Sequence, residues 1–143
     1  MNIWVIFDLT IKLMMFSLDQ ITSAHSRVKS GADFPQYIRD LKALGVAHYV
    51  AFVEDGHVNY HGTHQHVVQA PGKYDALVLS ESLREDVFKE ELLAHQQGKT
   101  DYPTFIRMCA ETGISTWEVN IEKLTCTYFD IEGNLVLTEQ IPI

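Results

Sequence analysis

The sequence predicts an α+β fold in which an ααβββ unit occurs twice in tandem. The two copies are related by a pseudo-two-fold axis, and their helices pack on one face of a mostly antiparallel sheet. Three observations predict this. The stretch Asp33–Val68 recurs 68 residues later at Asp101–Val136 without a gap, and eight of its 36 positions are identical, where random pairing of ordinary compositions gives about two. Each copy opens with apolar residues at helical spacing, ended by a glycine. Each copy then continues with runs that alternate apolar and polar, the period of a half-buried strand.

The repeated helix is the clearest element. Phe34, Tyr37, Ile38, Leu41 and Leu44 form one face, matched by Tyr102, Phe105, Ile106 and Cys109. Pro35 and Pro103 suit the first helical position, where a missing N–H is no loss. A residue before proline avoids the α region, so Phe34 and Tyr102 are expected just outside the helix. Gly45 and Gly113 read as left-handed C-terminal residues, followed by Val46 and Ile114 as the apolar contact. Arg39 and Arg107 are the repeated cations, and an exposed or ion-paired helix position explains them better than a ligand site.

The chain reads as a single domain, 1–143, with repeats at about 17–70 and 82–141, a linker at about 70–81 and an extension at 1–16. The extension is broken by Asp8 and Lys12, is too short to span a bilayer and lacks a signal peptide's basic start and cleavage site. It suits an added edge strand or helix, or an upstream extension, because Met14 and Met15 offer alternative starts. Ser17-Leu18-Asp19-Gln20 is a capping box with Phe16 and Ile21 as its hydrophobic staple. The helix it opens is expected to reach Ser30, with Ile21, Ala24 and Val28 on its apolar side.

Strands follow at His48–Glu54 and His57–His61. Asp55-Gly56 between them predicts a two-residue turn that pairs Val53 with Val58 and Ala51 with Tyr60. Tyr49, Ala51, Val53, Val58 and Tyr60 then share the core face. The second copy places Trp117, Val119, Ile121, Cys126 and Tyr128 there. Third strands are expected at about His66–Gln69 and Leu135–Glu139. In the linker, Leu77-Val78-Leu79 reads as a short buried run. Ser82-Leu83-Arg84-Glu85 reads as a second capping box, for a helix ending near Gly98.

Charge limits the function classes. With 11 Lys and Arg against 19 Asp and Glu, the net charge is −8 and the pI about 5.2. Nucleic-acid binding, which needs a basic face, is not expected, nor is a membrane partner. Cys109 and Cys126 fall on core faces and read as buried free thiols rather than a disulfide framework. No cofactor is expected.

The one dense polar cluster is His57–His66, which holds four of the seven histidines. His57 and His61 lie about 13 Å apart on one strand, too far to share a zinc. His61, His64 and His66 are the candidate metal ligands, converging through the turn. The second copy has Phe129, Glu132 and Asn134 in their place, so a solvated strand face is the favoured reading. No Gly-rich phosphate loop, GxSxG elbow or HExxH motif occurs.

Two segments, His25–Gly62 and His95–Asp130, resemble a family of small proteins of enteric bacteria. These are often prophage-encoded and described as "phage envelope protein-like" or YdfO-like. The resemblance covers about Phe16–Ile143, includes both glycine turns and favours a late start. It implies a prophage association and brings no catalytic residue, substrate or partner. The expectation is a non-enzymatic cytoplasmic protein that binds an unknown protein partner or forms a homo-oligomer. The polar sheet face, with Val50, Phe52, His57, Asn59 and Phe129, is the candidate surface. The alternative is a metal-dependent or small-molecule enzyme using the histidine cluster.

Overall fold

The first element forms as the sequence dictates. In a computed structural model that describes residues 15–142, Ser17 Oγ accepts the Gln20 N–H at 3.3 Å and Gln20 Oε1 accepts the Ser17 N–H at 2.8 Å. This reciprocal cap starts α1 (Leu18–Ser26), with Phe16 and Ile21 buried in the same core cluster. The helix stops short of Ser30, because Asp33 Oδ2 takes the Lys29 and Ser30 N–H groups and holds a 3₁₀ turn at Gly31–Asp33. That turn runs directly into α2 (Phe34–Leu44), so Phe34 is helical, with φ −62° and ψ −44°, rather than outside the helix. Residues 1–14, expected as an extension, lie outside the described residues.

Gly45 ends α2 in the left-handed region at φ 97°. The Val46 N–H reaches the Leu41 carbonyl and the Gly45 N–H the Lys42 carbonyl, both at 3.0 Å, which is the Schellman closure. The strands β1 (His48–Phe52), β2 (Val58–His61) and β3 (Val67–Ala70) follow. After the linker come α3 (Glu85–Gln96), α4 (Tyr102–Thr112), β4 (Ile114–Asn120), β5 (Thr125–Asp130) and β6 (Leu135–Gln140). Gly113 ends α4 at φ 92°, and Tyr102, like Phe34, is the first helical residue.

Three local expectations are corrected. The β1–β2 loop has five residues, Val53–His57, closed by the Gly56 N–H on the Phe52 carbonyl at 2.9 Å. The pairs are therefore Ala51↔Val58 and Tyr49↔Tyr60. The slip is two residues, so every side chain keeps its predicted face. Ser82 does not cap α3: Arg84 is the N-cap residue, with no side-chain cap bond, and the Ser82 N–H that a capping box would give to Glu85 goes to Ser80 Oγ. The chain there is tied to the end of α4 by the Arg84 N–H on the Thr112 carbonyl at 2.8 Å, and the helix starts at Glu85. In the linker, Leu77 and Leu79 pack on the core while Val78 is 92% exposed, as in an extended strap with alternating sides.

The six strands form one antiparallel sheet in the order β3-β2-β1-β4-β5-β6. The β1–β4 pairing is centred on Val50↔Glu118, two positions separated by 68 in the chain. The Val53 N–H donates to the Ser115 carbonyl and the Ile121 N–H to the Ala47 carbonyl, so these bonds are reciprocal across that offset.

The buried residues lie between helices and sheet in two clusters. Ile21, Tyr37, Ile38 and Leu41 pack with Tyr49, Val58 and Tyr60. Phe88, Leu92, Phe105 and Cys109 pack with Ile114 and Tyr128. Val53, from the first half, is fully buried in the second cluster, and its counterpart Ile121 is buried in the first.

Candidate functional site

Side chains alternate along the strands, so burying Tyr49, Ala51, Val58, Val119 and Tyr128 beneath the helices turns their neighbours outward. Among the described residues, Glu118 is the one formally charged strand residue on that open face, and its strands carry no Lys or Arg. One row crosses the sheet through Phe52↔Thr116, Thr116↔Phe129 and Phe129↔Leu135. Phe52 and Phe129 are partly exposed, and Leu135 is 62% exposed.

His57 extends this row, its ring stacked on Phe52 with centroids 4.0 Å apart. Asp55 fixes the ring, because its Oδ1 lies 2.5 Å from His57 Nδ1 and also accepts the His57 backbone N–H. Those bonds, the backbone one foremost, hold the Asp55 carboxyl below the usual carboxylate range.

A second row lies at the other strand ends. His48 and His61, cross-strand partners, stack nearly parallel with centroids 4.4 Å apart. His48 Nε2 lies 3.8 Å from Glu118 Oε1. Partial desolvation, and then the neighbouring His48, lower the His61 pKa against the opposing pull of Glu118. Between the two rows run Asn59, Val50, Glu118 and Thr127.

The histidines proposed as metal ligands take separate directions. His61 faces His48 on the sheet. His66 Nε2 lies 2.8 Å from the Phe16 carbonyl oxygen, and its ring stands edge-on to Phe16. His64, left-handed at φ 55°, is exposed in the β2–β3 loop. His64 and His66 line a cleft of about 200 Å³ with Phe16, Leu44, Gly45 and Thr63; His61 is not part of it. Among the described residues no group of three or more His, Cys, Asp or Glu is placed to hold one ion.

Of the expected binding residues, the structure puts Val50, Phe52, His57, Asn59 and Phe129 on one continuous face. Parity alone puts His48 and Glu118 on the polar sides of their strands, yet sequence reasoning did not bring the two together. Their proximity depends on β1 lying beside β4, and the sequence carries no signal for that pairing beyond the repeat itself. The thiols are held protonated: burial pushes Cys126 up to about 11 and Cys109 higher still, which suppresses thiolate chemistry. No helix among the described residues is long and apolar enough to cross a membrane.

Residues 22–140 match the model of a family described as protein of unknown function (DUF1398). No curated protein matches the chain.

Proposed function

This chain belongs to the DUF1398 family of proteins of unknown function, and from that premise we propose that it is a non-enzymatic, cytoplasmic, prophage-associated protein that binds a protein partner, or itself, through the open face of its sheet. One observation carries the reading. The chain has 30 formally charged residues in 143, yet among the described residues the strands of this face, which no helix covers, carry a single carboxylate and bear Val50, Phe52 and Phe129. Depletion of charge with enrichment of aromatic residues marks the core of a protein interface.

The proposed architecture is a tandem duplication with a pseudo-two-fold axis through the Val50–Glu118 pair. The reciprocal Val53–Ser115 and Ile121–Ala47 bonds and the shared pairing register support it.

The test is recovery of a bound protein from the native host with wild-type protein and with Val50→Lys and Phe129→Lys. A partner, or a second copy, held by the wild type and lost from both variants with unchanged melting supports the face. The same partner held equally by both variants overturns it.

A further inference from the structure

We propose that the open face packs against the same face of a second copy, the two related by a two-fold axis that runs along the strands. This rests on the reading of that face as the binding surface, and it commits to the occupant. A charged partner would find little to recognise there, because among the described residues its strands carry no Lys or Arg and one Glu. A surface equally poor in charge fits, and the chain's own face is one. It also lets a molecule of net charge −8 meet itself away from its charged surfaces.

The sheet order decides the geometry. A two-fold axis along the strands lays β1 over β4 of the second copy and β2 over its β5, with strand ends kept in register. Phe129 then covers the Phe52–His57 stack of the second copy, giving two aromatic contacts per dimer. Asn59 meets Thr127, and His48 meets Asn120, polar on polar.

A two-fold axis across the strands would instead set Glu118 against Glu118. Even in the favoured arrangement, Glu118 faces Val50 of the second copy, with the His48 ring of its own chain 3.8 Å away as its neighbour. Six strands of about five residues cover a plane of about 500 Å² before side-chain relief. That is at the low end for one partner of a specific interface, so the dimer is weak and reversible rather than obligate.

The experiment combines sedimentation velocity up to millimolar protein with a photo-crosslinking amino acid placed at Asn59. The expected result is a concentration-dependent species of twice the 16.3 kDa chain mass. A crosslink should join position 59 to the peptide that contains Thr127. Phe129→Asn should weaken association at least about tenfold, as loss of a central aromatic anchor does. Glu118→Gln should strengthen it, because burying an unmatched carboxylate opposes assembly. Thermal melts of both variants separate an association effect from a folding effect.

A monomer at millimolar concentration, or association unchanged in folded Phe129→Asn, overturns the dimer. If in that case the position-59 probe, used in the host cell, captures a different protein, the binding-face reading stands without the dimer. If it captures nothing, both fall.

Discussion

Gly45 and Gly113 hold the same backbone conformation, with φ 97° and 92°, at the same place in the two halves, yet they sit in different surroundings. A Cβ at Gly45 would meet nothing within 4 Å, whereas one at Gly113 would lie 2.9 Å from the Ser82 carbonyl oxygen and 3.0 Å from Leu83 Cα. The linker that follows the first half folds over the helix end of the second. Further pairs separate backbone from side chain in the same way. Gly56 and Leu124 are both left-handed, as are Gln65 and Gly133, each pair 68 apart. The two halves thus turn the chain at the same places, in different surroundings.

The largest expected effect tests what the halves share. Val53 and Ile121 each fill the other half's cluster. Ile121→Ala should cost about 3–4 kcal/mol and Val53→Ala about 2 kcal/mol in denaturant unfolding, as large-to-small core changes do. Both should lower one cooperative transition. Separate transitions for the two halves would break the comparison.

Next, Gly113→Val should cost about 3 kcal/mol, since left-handed strain adds to overpacking against fixed backbone. Gly45→Val should cost only the strain, about 1–2 kcal/mol. Equal losses in thermal melts would mean the linker yields freely.

A smaller effect is expected from pH. Folded His61 has a lowered pKa, so the unfolded chain binds the proton more readily. Stability is full above the unfolded value, about 6.5, and declines as pH falls below it toward the folded pKa. The second half has Phe129 at the equivalent position. His61→Asn should therefore flatten this arm of the stability profile, and an unchanged slope would place the acid sensitivity elsewhere.

The smallest effect is at Gln65, exposed at φ 62° where the second half has Gly133. Gln65→Gly should change stability by less than about 1 kcal/mol, relief of strain being offset by glycine's entropy. A loss above that would assign the side chain a contact.

Much of this was legible in the residues. The proline-to-glycine span fixed α2 and α4, and alternation fixed which side of each strand is buried. The Ser17–Gln20 cap was read directly. The Ser82–Glu85 stretch was misread, because a capping pattern cannot reveal that Arg84 is tied to Thr112 across the fold. The β1–β2 loop was misread because the Asp-Gly signal competes with the apolar fit of Val53, which leaves the strand to fill the other half's core. The candidate face was legible by parity. The closeness of His48 and Glu118 was not, since it arises from a pairing between residues 70 apart in the chain.

Joined at β1–β4 and filling each other's cores, the two halves should form one folding unit. Cutting the chain between Ser80 and Glu81 and melting each fragment alone, then the equimolar mixture, by circular dichroism tests it most directly. The expected result is no cooperative transition from either fragment as a monomer, and a single cooperative transition from the mixture. A monomeric fragment that melts cooperatively alone, unchanged by the other, would contradict it.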